Sequence, residues 1–247
     1  EKVTGTPSIA PTKKMPTEKQ NSFYFMPVWE ERPLKNTELS SNETLMVFDD
    51  HNETVSFLRQ KFIQSTIVHV QSGDRYEVLS DNAYRINPKN LDDYFQIIKD
   101  VLDKQTLFPS QIIVKESMPS ADQLTETFIS EQLQKSFYKL FYLSKALVNH
   151  KLKENVNLFC FYEATAQTTL FCSALCGFAK TLQLENQKIK CKILISENGK
   201  IQIETLLHEL INADPEVCYE KSHKRLVKLY REIPPLNFTS SPLNKQG

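Results

Sequence analysis

The sequence predicts an α/β fold: a doubly wound, mostly parallel sheet with helices on both faces. Short apolar segments alternate with amphipathic helical ones along most of the chain, as strand–helix–strand crossovers require. The clearest instance is Val156–Ile195. It opens on the aromatic-rich run Leu158–Tyr162 and closes on the Ile-rich run Lys190–Ile195. Between them Leu170, Phe171, Leu175, Phe178, Ala179 and Leu182 recur at three- and four-residue spacing, which predicts a buried helical stripe. Such a βαβ unit has parallel strands and a right-handed crossover. The composition allows a real core, with 40% hydrophobic and 24% charged residues.

Taken in order, residues 1–22 hold Pro7, Pro11 and Pro16 among Thr, Ser and Lys and read as a linker. Phe23–Leu34 is aromatic and contains the only tryptophan; Pro27 and Pro33 make it an edge or irregular strand. Thr44–Phe48 is a short apolar strand, and Asp50 or Asn52 can cap the helix that follows to about Phe62. Thr66–Val70 completes a first βαβ. Asp74–Leu79 and Ala83–Ile86 form a small antiparallel excursion around Asp81-Asn82. Asn90–Leu102 is a helix with Leu91, Tyr94, Ile97, Ile98, Val101 and Leu102 as its buried stripe. Gln111–Val114 is a strand, and one long helix runs from Thr125 to His150. After the central βαβ come a turn at Asn198-Gly199, a helix over Ile203–Ile211 broken by Pro215, and closing strands at Glu216–Tyr219 and Arg225–Tyr230. Residues 233–247 carry three prolines and read as a second linker. The globular part is therefore one Rossmann-like domain over residues 23–232.

Charge and cysteines narrow the class. Lys+Arg and Asp+Glu both number 30, so there is no electrostatic case for a nucleic acid or an anionic membrane as partner. No run of about 18 apolar residues is present, and the first residues lack the apolar segment of a secretion signal. Cys160, Cys172, Cys176, Cys191 and Cys218 fall in apolar settings and read as reduced core thiols, with a cytoplasmic location expected. Cys172 and Cys176 share a helical face, but no CxxC and no suitably spaced histidine accompanies them, so no metal is expected.

A doubly wound sheet invites a dinucleotide, which needs a glycine-rich turn after the first strand. After Thr44–Phe48 the chain offers Asp49-Asp50-His51-Asn52-Glu53: no glycine, and three carboxylates where the diphosphate would sit. No tyrosine has a lysine four residues later, as a reductase proton-transfer pair would require; Tyr142 and Lys145 come nearest, with Tyr142 facing the core and Lys145 solvated. GxSxG, P-loop and HExxH motifs are missing too. His51, His69, His150, His208 and His223 are dispersed and read as surface or satisfied residues. Asp92-Asp93 reads as a solvated pair. Neither catalytic residues nor a bound cofactor are expected in this chain.

Several stretches together resemble the structural subdomain of polyketide synthase ketoreductases, of the bacterial modular trans-acyltransferase type. Phe25-Met26-Pro27-Val28-Trp29-Glu30, with Pro33-Leu34 behind it, looks like the family's opening Pro-Val-Trp segment. Thr44-Leu45-Met46-Val47-Phe48-Asp49 is similar to its first strand, and Tyr84-Arg85-Ile86-Asn87-Pro88 with Asp93-Tyr94 to its Ile-Asn-Pro…Asp-Tyr stretch. Phe141–Leu147, Gly177–Leu182 with Glu185, Glu216–Tyr219 and Arg225 match its two long helices and closing strands. After Ile112 the chain departs from the family's usual His-Leu-Trp and reads Val114-Lys115-Glu116-Ser117.

The resemblance implies a truncated, short-chain dehydrogenase-like half that supports a separate catalytic half. That partner would hold NADPH and the catalytic residues, and would reduce a carrier-bound β-keto group in polyketide (including antibiotic) biosynthesis. It would begin about where this sequence stops, so an excised piece of a multidomain synthase is expected. The implied partners are that catalytic subdomain and other synthase domains of the same polypeptide. Tyr24, Phe25, Met26, Pro27, Val28 and Trp29 are the expected interface. The alternatives are an inactive pseudo-ketoreductase serving as a spacer, and a small-ligand-binding Rossmann-like protein.

Overall fold

The structure, a computed structural model, describes residues 23–34, 44–104, 108–120, 123–150, 152–165, 168–197, 201–220 and 224–233. The two segments read as linkers therefore lie outside the described residues, Ile233 excepted, as do Asn198-Gly199 and His223. Residues 29–228 form one compact unit, and among the described residues 23–28 with 229–233 belong to a second.

The chain enters through β1 (Tyr24–Glu31). It continues into β2 (Thr44–Phe48), α1 (Glu53–Lys61) and β3 (Thr66–Ser72), then into a hairpin of β4 (Glu77–Ser80) and β5 (Ala83–Ile86). α2 (Leu91–Lys104) crosses back to β6 (Gln111–Ser117). The next helical segment is α3 (Glu126–Leu133), a π-helical turn over Gln134–Tyr138, and α4 (Lys139–Asn149). β7 (Val156–Glu163), α5 (Thr169–Glu185), β8 (Ile189–Ser196), α6 (Ile203–Ile211), β9 (Glu216–Tyr219) and β10 (Arg225–Ile233) complete the order. The strands lie in the order β1-β10-β9-β8-β7-β6-β2-β3-β5-β4. Pairing is parallel from β9 through β5 and antiparallel at β9–β10 and β4–β5. β1, with Pro27 inside it, stands at the end of the order, where a missing ladder donor costs least.

β7 shows why its sequence is almost unbroken in apolarity. It is paired on both edges, Gln111↔Asn157 to Ser117↔Glu163 on one side and Val156↔Ile189 to Glu163↔Ser196 on the other. Both of its faces are covered as well. On one face Met46, Phe48, Val68, Ile112, Leu158, Cys160, Cys191 and Ile193 meet Tyr94, Ile97, Leu140, Leu143, Leu175 and Ala179 of α2, α4 and α5. The alternating residues Val47, Ile113, Phe159, Phe161 and Leu194 are buried on the other face, which α1 and α6 cover with Val55, Leu58, Leu206 and Leu207.

Four local expectations need correction. Asn52 sits at the N-cap of α1, but its side chain makes no capping bond; it accepts from Gln71 Nε2 at 3.3 Å. The carboxylate of Asp50 instead accepts the Ser72 N–H at 2.7 Å, tying the loop to the end of β3. The expected long helix is interrupted by the π turn, although Thr125 caps its start by accepting the Phe128 N–H. Asp93 is buried rather than solvated, because its carboxylate accepts from the Asn87 N–H (2.8 Å) and from Asn90 Nδ2 (2.6 Å), closing the first turn of α2. Leu170, assigned to the buried stripe, is 69% exposed on the first turn of α5.

Candidate functional site

The chain leaves β2 toward β3 on one side and continues from β6 to β7 on the other, so the order reverses between β2 and β6. In open α/β sheets the crevice outside the carboxyl ends of strands at such a point is where ligands bind. Here a cavity of about 250 Å³ occupies that place, lined by Asp49, Asp50 and His51 after β2, Ser72 after β3, Lys115–Ser117 at the end of β6, and Lys135 and Lys139. The loop's polar groups are tied to itself and to β3, while Asp49 Oδ2 is buried with no partner among the described residues. Asp49 is 3% exposed; its carbonyl meets His69 Nε2 at 2.8 Å and its carboxylate accepts the His51 N–H at 2.9 Å.

Lys139 lies just beyond the π turn and projects its ammonium into this crevice, where it pairs with Glu116. A π turn inserts one residue into a helix and re-aims the side chains that follow it, and such turns recur at functional sites. Both side chains are almost wholly removed from water, 5% and 11% exposed. Burial pushes the Glu116 carboxyl up, against the pull of Lys139. Burial alone would lower Lys139, yet Glu116, Asp50 and Asp49 together hold it above the usual ammonium value. Burial likewise opposes the charge of Asp50, and Lys139 with the Ser72 N–H outweighs it, so that carboxyl sits lower than usual. The residues do not fit a dinucleotide. No glycine lets backbone approach a pyrophosphate, and an internal ion pair stands in the crevice.

A second recess, of about 250 Å³, lies at the carboxyl ends of β8 and β9 and is lined by Trp29, Cys176, Ile195, Glu197, Glu216, Cys218, Glu220 and Lys228. Lys228 Nζ sits 5.5 Å from the centre of the Trp29 ring, which remains 43% exposed. Glu216 is buried, and Lys228 at 2.7 Å and Lys180 at 3.0 Å hold its carboxyl below the usual range despite that burial. Of the other expected interface residues, Tyr24, Phe25, Met26 and Pro27 are exposed and Val28 is half-buried. Three side chains meet at Glu209 on α6: Arg225 Nε at 2.5 Å and Nη2 at 3.0 Å, Lys192 Nζ at 2.6 Å and the Tyr219 hydroxyl at 2.8 Å.

Other candidates carry no chemistry. All five cysteines are buried free thiols, and burial pushes Cys172 and Cys218 up to about 12, far from a reactive thiolate. Tyr142 packs edge-on against Tyr94, with ring centres 5.8 Å apart, while Lys145 is exposed, so the two do not form a pair. His69 and His150 bond carbonyls; His208 Nδ1 has no partner among the described residues. Among the described residues no group of three or more His, Cys, Asp or Glu is placed to hold a metal. No described helix is long and apolar enough to cross a membrane.

Sequence reasoning missed Lys139 and Glu116, since a polar residue in a helix or at a strand end reads as solvated. The available signal was spacing: Ser136 and Lys139 stand on the face that carries Leu140, Leu143 and Leu147 inward.

The strand order and the crevice at its switch point define a Rossmann-like α/β domain. The chain belongs to the beta-ketoacyl synthase-like, N-terminal family, whose model matches residues 43–214. Among solved structures it is similar to an N-terminal ketoreductase from the macrolactin assembly line, with 21% identity and a TM-score of 0.70 over 86% of this chain and 45% of that one. It is also similar to an adenylation, ketoreductase and pseudo-Asub multidomain structure from a keto acid-selecting NRPS module. There the identity is 15% and the TM-score 0.71, over 85% of this chain and 18% of that one. The chain thus spans less than half the length of either structure. None of the curated proteins matches its sequence.

Proposed function

We propose that this chain is the non-catalytic, structural half of a ketoreductase in a polyketide-type assembly line, and that it supports a catalytic half holding NADPH. The observation that carries this reading is the switch-point crevice. A fold of the nucleotide-binding kind has an acid-capped turn and a buried Lys139–Glu116 pair where the phosphates would lie. The family assignment and the likeness in fold to ketoreductases of multidomain assemblies support the same reading. In such a half the sheet is a scaffold, and its contribution is a surface.

That surface is the aromatic strand Tyr24–Trp29. Large apolar side chains on an edge strand offer both ladder groups and contact area to a partner. The partner would lie in the same polypeptide, and the NADPH loop and proton-transfer residues would belong to it. The test is reconstitution. The catalytic half is expressed separately, its reductase activity is assayed with and without this chain, and the assay is repeated with residues 23–34 deleted. Activity or solubility of the catalytic half should rise with the intact chain and fall back with the deletion. Activity indifferent to this chain would refute the scaffold reading.

A further inference from the structure

The switch-point crevice does not suit a dinucleotide, yet one strong acceptor on its wall is left over. Asp49 is almost wholly buried, and its Oδ1 accepts the His51 N–H at 2.9 Å. Its Oδ2 is equally cut off from water and has no partner among the described residues. A buried carboxylate oxygen without a donor is costly, so one that lines a cavity points to a donor supplied from outside the chain. The neighbouring donors are already committed. Lys139 bonds Glu116, and the Ser72 N–H bonds Asp50 Oδ1.

The lining is graded in charge. Asp49 is buried, whereas Lys115 is half-buried and Lys135 exposed. Both lysines line the same cavity, and neither makes an ion pair among the described residues. Phe48↔Val114 is the last pair of the β2–β6 ladder, so Asp49 and Lys115 follow it on adjacent strand ends. The crevice therefore presents an unmet acceptor within and uncommitted cations nearer to solvent.

Size and charge select the ligand class. The cavity, about 250 Å³, lies below the usual range for drug-sized ligands, about 300–1,000 Å³, so the occupant is small. A simple anion would meet Asp49 and Asp50. A bare metal ion lacks its ligand set, since no group of three or more His, Cys, Asp or Glu is placed to hold one among the described residues. A molecule with an ammonium at one end and a carboxylate at the other matches both parts of the lining, through charge-assisted hydrogen bonds at each end.

We propose that the crevice binds a small zwitterion of the free amino-acid type, its ammonium donating to Asp49 Oδ2 and its carboxylate paired with Lys115 and Lys135. The proposal does not rest on the scaffold reading: reconstitution with a catalytic half tests that reading, and ligand titration tests this one. Isothermal titration of the full chain with glycine, L-alanine or L-serine should give saturable binding with a dissociation constant below about 1 mM. Methylamine and acetate, each carrying one of the two charges, should bind at least about tenfold more weakly. Asp49→Asn keeps an acceptor for the His51 N–H and should weaken the amino acid at least about tenfold. Should that variant fail to fold, the double variant Lys115→Gln/Lys135→Gln, changed at less buried positions, carries the test. It should weaken the amino acid about tenfold while leaving methylamine unaffected. No saturation by any of the three amino acids up to about 10 mM overturns the proposal. So does methylamine or acetate binding as tightly as the amino acid, or affinity unchanged in a folded Asp49→Asn or in the double lysine variant.

Discussion

Replacing Lys139 with methionine removes the cation from the crevice and leaves Glu116 behind. The side chains are 5% and 11% exposed, so solvent screens little of the loss. Removing one partner of a buried pair costs about 3–5 kcal/mol, because the remaining charge has no counterion. At about 2–4 °C per kcal/mol for a chain of this size, the thermal midpoint by circular dichroism should fall by roughly 6–20 °C. Adding Glu116→Gln removes the orphaned charge and should recover more than half of that drop. The pH dependence has a definite sign. Burial already raises the Glu116 carboxyl, and loss of Lys139 raises it further above an unfolded value of about 4.3. The native variant then favours the protonated acid. The penalty is smallest below about pH 4, grows as pH rises through the folded value, and is complete above it. A penalty under about 1 kcal/mol, or a double variant no more stable than the single one, would refute the assignment of the crevice to an internal ion pair.

Glu209→Gln should be costly, about 3 kcal/mol by urea denaturation, since it leaves Lys192 buried without its counterion, although Arg225 keeps Asp214 at 2.8 Å. Burial opposes the Glu209 charge, but Arg225 and Lys192 prevail and hold its carboxyl below the ordinary value. Its stabilisation is therefore present above an unfolded value of about 4.3 and lost as pH falls through the folded one, so the variant should show a weaker acid transition than the parent. The five thiols should react with a disulfide reagent only as fast as the chain opens, and labelling in urea should follow the unfolding curve. Rapid native labelling of any cysteine would contradict its burial.

The fold was legible because its signals are apolar and periodic. Leu158–Tyr162 and Lys190–Ile195 name their strands directly. The strands run further than those cores because Lys115–Ser117, Glu163 and Ser196 continue the ladders with backbone groups, which carry no side-chain signature. The π turn at Gln134–Tyr138 was not legible, because helical periodicity over Thr125–His150 tolerates one inserted residue without losing its apolar face. Asp93 could have been read correctly. Asn90 followed three residues later by an acid is the pattern of a reciprocal helix start, and it buries the carboxylate that a charge count assigns to solvent. Of the crevice, the acid turn after β2 was legible and its counterion was not. Lys139 is distant in sequence from Asp49 and Glu116, and only the sheet order brings them together.

The most direct test is a titration of the purified chain with NADPH, followed by cofactor fluorescence at neutral pH. With the crevice held by Lys139, Glu116 and the Asp49–Asp50 turn, no saturable binding is expected up to about 100 μM, a limit of about 5.5 kcal/mol. Saturation below that concentration, abolished by a substitution at Ser72 or Lys135, would place the nucleotide in the crevice and contradict a purely structural role.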